Sequence, residues 1–144
     1  MVSEILELIP HRPPFLWVDR IITLEADAIV AEKVLAPDLD LYQGHYPNHP
    51  ITPGVILCEA VFQAGALLIS HRLRGEGRPA SGIPVLTRIY GAKFKRQVSP
   101  GATVTLEARL VETVGPAWVM KGKARVDGKT AVSVEFACTQ TGGL

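Results

Sequence analysis

The apolar run from Val55 to Ile69 is the feature of this sequence that most constrains its fold. Thr52 suits the N-cap of a helix and Pro53 suits its first position, so we predict a helix that starts there. Apolar residues fall on every side of that helix, and such a helix is buried in a protein core or a membrane. Glu59 interrupts the run too early for a membrane span of about 20 apolar residues. The sequence therefore predicts a core helix.

Glu59 is the unusual residue of this helix, because a carboxylate is almost never fully buried without a partner. A buried carboxyl group resists ionisation, which makes Glu59 a candidate acid. An equal alternative is a structural glutamate, either paired with an arginine or a backbone donor or merely facing a crevice. His45 lies upstream in a turn-rich segment, and histidine is the residue type most used as a base near neutral pH, so His45 is a candidate base. Together the two residues form the halves of an acid/base catalyst.

The rest of the chain indicates hairpins of an antiparallel sheet around the helix, an α+β arrangement. A short helix capped by Ser3 and closed by Pro10 precedes them. Asp127-Gly128 is the strongest hairpin signal, and the glycines and proline of 75–79 suit the end of the long helix. The predicted strands are Phe15–Leu24, Ala28–Leu35, Ile83–Ile89, Lys93–Val98, Thr103–Val114, Trp118–Val126 and Lys129–Thr139.

Length and composition predict one globular domain spanning residues 1–144, since 47% of residues are hydrophobic and 20% are charged. The net charge of +1 gives no reason to expect a nucleic-acid partner. The opening segment MVSEILELIPHR has no leading basic stretch, so it is not predicted to be a secretory signal. Two cysteines do not make a disulfide framework, and we expect a cytoplasmic protein with no membrane partner.

Three segments resemble the 3-hydroxyacyl-[acyl-carrier-protein] dehydratases of FabZ type, in the same order along nearly the whole chain. They are LIPHRPPFLWVDRI (8–21), QGHYPNHPITPGVILCEAVFQAGALL (43–68) and AKFKRQVSPG (92–101). The resemblance implies the hot-dog fold, in which a curved antiparallel sheet wraps a long central helix. It also implies dehydration of (3R)-3-hydroxyacyl groups on acyl carrier protein to trans-2-enoyl groups, in fatty-acid or related lipid or polyketide synthesis, without a cofactor.

The resemblance assigns roles to particular residues of the helix and the loop before it. His45 matches the family's catalytic histidine in its G-H-aromatic-P motif, and Glu59 matches the catalytic acid of its P-G-V-x-x-x-E motif. Gln63 matches the family's glutamine one turn later. Its place on the same helix face as Glu59 suits it to orient the carboxyl group, and a simple core hydrogen bond is an equal alternative. Gly54 matches a glycine whose N–H binds the substrate oxyanion. Its alternative role is to ease packing at the helix start.

The family's site draws its histidine and its glutamate from different subunits, so the resemblance implies a homodimer and allows a trimer of dimers.

Phe94 is a candidate substrate contact. Lys93, Lys95 and Arg96 form a basic cluster suited to an acidic carrier protein. A solvated strand edge that discourages aggregation is the alternative. Strand alternation puts the two lysines on one side and Phe94 with Arg96 on the other.

Two other features bear on function. His45 and His49 have the spacing of helical zinc ligands, but the prolines between and after them prevent a regular helix, so we predict no metal. His11 is expected to support the site structurally. The segment Thr87–Gly91 departs from the family pattern, which leaves the acyl-chain preference and the mode of carrier docking open.

Two alternative functions share the predicted fold. A hot-dog thioesterase would hydrolyse the thioester and leave the 3-hydroxyl group in place, and the pairing of the two motifs argues against it. A non-catalytic acyl-binding module would be favoured by loss of either catalytic residue, but His45 and Glu59 are both present. Dehydration is therefore the leading prediction.

Overall fold

The structure is a computed structural model that describes residues 2–77 and 84–140. Three helices and six strands occur in these ranges. In chain order they are α1 (Val2–Leu8), β1 (Arg20–Leu24), β2 (Ala28–Val34), α2 (Leu41–Gly44), α3 (Gly54–Gly75), β3 (Pro84–Phe94), β4 (Thr103–Val114), β5 (Ala117–Val126) and β6 (Lys129–Gln140).

The six strands form one antiparallel sheet in the order β1-β2-β4-β5-β6-β3. The long helix α3 packs against β2, β4, β5, β6 and β3. This arrangement is the hot-dog fold, and it confirms the predicted fold class. In this order β3 pairs only with β6 and β1 pairs only with β2, so β3 and β1 are the two edge strands of the sheet.

Small residues of α3 and of the sheet let the helix approach the strands closely. Gly65 on α3 lies under the ring of Phe136, where an added Cβ would meet the ring at 3.0 Å. Phe62, one turn earlier, packs on the same ring with centroids 4.7 Å apart. Gly122 on β5 leaves room for the side chain of Val61. The helix is consequently the centre of the buried core, as the sequence predicts.

The length and composition of α3 would also allow it to span a membrane. However, 72% of its most apolar segment is buried inside the protein. Burial of this extent is that of a core helix packed on a sheet.

The predicted start of α3 is wrong by one residue. The helix begins at Gly54, and its N-cap is Pro53, whose ψ of 131° is not helical. Thr52 does not cap the helix, because its side chain is buried and bonded elsewhere: its hydroxyl lies 2.7 Å from that of Tyr42. Its N–H donates to the carbonyl of Val98 at 2.7 Å. These two bonds fix the end of the loop that leads into the helix.

The predicted strand Phe15–Leu24 is too long at its start, since β1 covers only Arg20–Leu24. The backbone before it bonds to a side chain instead of a neighbouring strand. Trp17 N–H donates to Gln63 Oε1 at 2.8 Å, and Phe15 C=O accepts from Gln63 Nε2 at 3.0 Å. Tertiary bonds of this kind leave no signal in local sequence.

The two strands predicted on either side of Tyr90–Gly91 form one continuous strand, β3, so that prediction is also wrong. The strand is irregular near its middle. Its pairing with β6 shifts register between Leu86 and Arg88 and again between Ile89 and Gly91. The strand ends at Phe94 and does not reach the predicted Val98. Ile83 lies outside the described residues.

Other predicted ends of elements agree with the structure more closely. Thr103–Val114 is β4 as predicted, and α3 ends at Gly75. Asp127 and Gly128 have φ values of 52° and 76° in the β5–β6 turn, as a two-residue hairpin requires. Ser3 lies inside α1 and not at its cap, because that helix already includes Val2. Residues 78–83, which contain part of the predicted helix stop, are outside the described ranges.

The close approach of α3 to β5 yields a test of the fold. A Cβ at Gly122 would clash with Val61 and lie 2.6 Å from the carbonyl oxygen of Glu107. We expect Gly122→Ala to lower the free energy of unfolding by about 1–3 kcal/mol, the usual cost of overpacking a core. Gly91→Ala is the matched control, because nothing lies within 4 Å of a Cβ there. Urea denaturation measures both; equal stability of the two variants would contradict this account.

Candidate active site

Glu59 lies on α3, and its carboxyl group is held by the next turn of the helix. Gln63 Nε2 donates to Glu59 Oε2 at 3.0 Å. Gln63 is itself buried, with 1% of its surface exposed, and both ends of its amide are bonded to the Phe15–Trp17 backbone. A flipped amide would lose those bonds, so Nε2 is fixed as the group that faces Glu59.

Glu59 is less buried than the sequence suggests. A quarter of its side chain is exposed in the single chain, whereas Gln63 is fully enclosed. The carboxyl group therefore opens on the surface at the N-terminal half of α3. Any further desolvation of it has to come from a bound molecule or a second subunit.

His11 is the second polar neighbour of Glu59. Its Nε2 lies 3.8 Å from Glu59 Oε2, and its side chain is one-quarter exposed. Burial lowers the pKa of His11, the charge of Glu59 opposes that change, and Arg12 adds to it. The sequence alone predicts only a structural supporting role for His11. The feature that pointed to this residue was its position after a proline in a segment that resembles the family.

His45 follows α2 directly, and its N–H donates to the carbonyl of Leu41 at 3.0 Å. Its Nδ1 lies 2.9 Å from the carbonyl oxygen of Ile51. A carbonyl can only accept, so Nδ1 carries a proton and the Nε2 of the neutral ring is an acceptor. Tyr46, which has a positive φ of 53°, places its ring 4.4 Å from that of His45. The imidazole is therefore oriented with a basic nitrogen free for chemistry.

The loop that carries His45 is tied to the core at both ends. Tyr42 on α2 is buried, and burial raises its pKa, while its hydroxyl meets Thr52 just before α3. Thr52 in turn is bonded to Val98. His45 thus lies on a short loop whose two ends are bonded to each other.

Within one chain, no hydrogen bond or ion pair joins His45 to Glu59 in the described residues. Large apolar residues near them are exposed: Val55 on α3 by 70% and Tyr46 beside His45 by 61%. An acid and a base that share one substrate must lie within reach of it. The single chain therefore leaves its candidate acid and base apart, beside uncovered apolar surface.

Gly54 and Phe94 meet at the start of α3. A Cβ on Gly54 would lie 2.5 Å from a ring carbon of Phe94, so the ring would have to move to admit any other residue there. The first N–H groups of a helix also lack intrahelical partners, and the described residues supply no acceptor for that of Gly54. Phe94 is 57% exposed, which leaves much of its ring open beside this N–H.

Lys93 and Lys95 lie away from this site, on the face of the sheet opposite α3. They line a cavity of about 670 Å³ together with Arg109, Lys121 and Lys123, and with the carboxylates of Glu107 and Glu135. Neither Phe94 nor Arg96 lines it, in agreement with the predicted alternation. The cations of β4 and β5 were missed from sequence, although their spacing of two residues between core positions was a signal.

No group of three or more histidine, cysteine, aspartate or glutamate side chains arranged to hold a metal ion occurs within residues 2–77 and 84–140. His49 is exposed, and its N–H is bonded to the carbonyl of Tyr46. Cys58 and Cys138 are both buried and free.

Sequence comparison decides the family. Residues 9–135 match the model of the FabA-like domain. A 3-hydroxyacyl-[acyl-carrier-protein] dehydratase FabZ from Anaeromyxobacter dehalogenans (strain 2CP-C) is 42% identical over 94% of this chain and 86% of its own length. The chain belongs to the FabZ-type dehydratases of the FabA-like family. A FabZ from Lactococcus lactis subsp. cremoris (strain MG1363) is 38% identical over 90% of this chain and 88% of its own length.

Solved structures support the same fold for this FabZ-type chain. A chain of the dehydratase heterocomplex ApeI:P from Xenorhabdus doucetiae superposes with a TM-score of 0.81 at 14% identity, over 94% of this chain and 90% of its own. A mutant of the phenylacetic acid degradation protein PaaI from Thermus thermophilus gives 0.63 at 18% identity, over 87% of this chain and 94% of its own. At these identities the likeness concerns the fold alone.

Proposed function

We propose that this FabZ-type protein dehydrates (3R)-3-hydroxyacyl groups on acyl carrier protein to trans-2-enoyl groups, in fatty-acid or related lipid or polyketide synthesis in the cytoplasm. The identity to the FabZ relatives over most of the chain supports the reaction class. The observation that carries the assignment of residues is the bond from His45 Nδ1 to Ile51, which leaves the other ring nitrogen basic. No metal or cofactor is needed for this reaction.

The reaction removes a proton from C2 and a hydroxyl group from C3 of the acyl chain. His45 Nε2 takes the C2 proton, and the Glu59 carboxyl gives a proton to the 3-hydroxyl group as the C3–O bond breaks. Water leaves, and the C2–C3 double bond forms. Each proton transfer contributes about 10²–10⁴-fold.

The thioester carbonyl gains negative charge while the C2 proton leaves, and the start of α3 supplies a donor for it. The Gly54 N–H lies at the positive end of the helix dipole and has no competing acceptor in the described chain. A preorganised donor of this kind lowers the barrier by about 3 kcal/mol. Phe94, packed against Gly54, then forms a wall for the bound acyl group.

Two substitutions test the roles of acid and base. We expect His45→Ala and Glu59→Gln each to lower turnover by about 10²-fold or more, the size of a general acid–base contribution, while the fold is retained. His49→Ala and Glu112→Gln are matched controls, since both residues are exposed and outside the proposed site. Near wild-type turnover by either folded site variant would reject the role given to that residue.

Mass spectrometry of carrier-bound 3-hydroxyacyl chains of several lengths reads the reaction directly. Loss of water from the acyl group is the expected result for the unmodified enzyme. Release of the whole acyl group would indicate a thioesterase, and an unchanged mass would indicate an acyl-binding module. The chain length that reacts fastest gives the acyl preference.

The working unit that we propose is a homodimer, with His45 and Glu59 of each site contributed by different subunits, and with a trimer of dimers as its larger form. Support comes from β3, an edge strand whose unpaired backbone groups can pair with another strand. Large apolar side chains stand exposed along it: Val85, Leu86, Ile89 and Tyr90. The exposed Val55 beside Glu59 supports the same conclusion, because a second subunit would cover it.

Mixed dimers test the shared site. His45→Ala and Glu59→Gln chains are each expected to be inactive alone, but a mixed dimer would contain one intact site. Subunit exchange between them should restore up to about one quarter of the wild-type activity, from random pairing and one working site in two. A chain carrying both substitutions, mixed with wild type, controls for exchange. Demonstrated exchange without recovery would show that both residues act within one chain.

The carrier protein, we propose, docks at the basic cavity on the outer face of the sheet. Five cations and two carboxylates line it, and Glu107 is already paired with Arg125 at 2.9 Å. An acidic partner is attracted to such a surface, which raises its association rate. Arg96 lies outside the lining, so Lys93 and Lys95 carry the docking role of the basic cluster.

Removing two of these cations tests the docking surface. We expect Lys93→Ala/Lys95→Ala to lower kcat/KM for carrier-bound substrate by about tenfold at low ionic strength, with kcat unchanged and the loss smaller at high salt. A carrier-free thioester substrate should react as with the wild type. Arg20→Ala/Lys129→Ala removes two cations outside the cavity and is the control. Equal effects of the two double variants would reject this surface.

A further inference from the structure

The segment that carries His11 is held in place by hydrogen bonds from the residue that follows it. The neighbouring Arg12 guanidinium donates to the carbonyls of Leu6, Ile9 and His11 at 2.9, 2.9 and 2.7 Å. The segment after α1 is thereby fixed to the end of that helix. The imidazole is directed toward α3, where its Nε2 faces Glu59 Oε2.

The two ring nitrogens of His11 have unequal surroundings. Nδ1 is buried and has no hydrogen-bond partner in the described chain, whereas Nε2 faces a carboxylate oxygen. A proton on Nδ1 would be a buried donor with no acceptor, which is costly. The favoured neutral tautomer therefore carries its proton on Nε2, directed at Glu59. Burial keeps the ring neutral by lowering the pKa of His11.

We propose that His11 is a positioning residue of the dehydration. The Nε2–H of His11 and an Nε2–H of Gln63 both point at Glu59 Oε2. The acidic proton of Glu59 is thereby left on Oε1. This inference rests on the proposed function, in which Glu59 is the acid. The separation of 3.8 Å exceeds a hydrogen bond in the free chain. Catalytic hydrogen bonds are often long in unliganded enzymes and shorten when substrate binds.

The two N–H donors at Glu59 Oε2 favour the step in which Glu59 loses its proton. The Oε1–H bond breaks, the proton passes to the 3-hydroxyl oxygen, and the electron pair stays on the carboxyl group. Two N–H donors at Oε2 then stabilise the carboxylate that forms. His45 holds the C2 proton at that point, and exchange with solvent returns both residues to their starting states.

Two other ionisable groups, Arg12 and Cys138, interact electrostatically with His11 or Glu59 and bear on a test by pH. Arg12 stays protonated throughout the neutral range. Cys138 on β6 stays a neutral thiol, because burial and then the charge of Glu59 raise its pKa to about 12. In the proposed reaction a base must be unprotonated and an acid must be protonated, so the base sets the acid limb of the pH profile and the acid sets the alkaline limb. A change confined to the alkaline limb consequently reports on the acid.

The test compares His11→Gln with His11→Leu. A glutamine amide can place an N–H near the position of Nε2 without titrating, whereas leucine fills the space and donates nothing. We expect His11→Leu to lower kcat by about tenfold, the smaller end of the effect of a lost hydrogen bond to a charged group, with KM little changed. Its alkaline limb should move to higher pH, because the carboxylate has lost a donor. His11→Gln should restore both.

Outcomes that overturn the proposal are equally definite. Equal losses in both variants with an unshifted pH profile would mean that His11 only supports the fold, and wild-type kinetics in both would mean that it does nothing. If His11→Leu fails to fold, His11→Asn replaces it, since its shorter amide does not reach the position of Nε2. In a Glu59→Gln background the substitution should have no further effect on residual activity. Full activity of Glu59→Gln alone would instead reject the proposed function.

Discussion

The hydrogen bonds of Gln63 hold together the long helix, the segment before β1 and the proposed acid. A single buried amide joins the centre of α3 to the backbone of Phe15 and Trp17 and to the carboxyl group of Glu59. A buried amide with an unmade bond would be costly, so all three partners are held at once. The extended segment before β1 and the candidate acid are therefore positioned by the same side chain.

The residues of the candidate site lie on the first half of α3 and on two loops, one carrying His11 and the other His45. Each loop is fixed by bonds to its own backbone or to a neighbour: Arg12 binds carbonyls of the first, and Thr52 links the second to the core. The helix between them is rigid because the sheet packs against it closely. Reactive side chains on loops thereby gain the precision of the scaffold.

The two faces of the sheet have different partners. One face buries α3 and forms the core, and the other presents cations around a cavity. The strand β3, at one edge of the sheet, carries exposed apolar side chains. A single copy of the chain thus has a well-packed core but an uncovered edge, and within the described residues no hydrogen bond or ion pair joins the proposed acid to the proposed base. These features support the proposed homodimer and the proposed docking of an acidic carrier protein.

The sequence by itself determined the core helix, the hairpins and the pair of candidate catalytic residues, because periodicity, turn chemistry and motif spacing are local properties. Only the tertiary structure decided that Thr52 bonds to Tyr42 and Val98, that β3 runs through Gly91 without a break, and that His11 faces Glu59. Each of these contacts joins segments distant along the chain or depends on a neighbouring strand. No local pattern records such a partner, since the free energy that selects it arises only when the chain is packed.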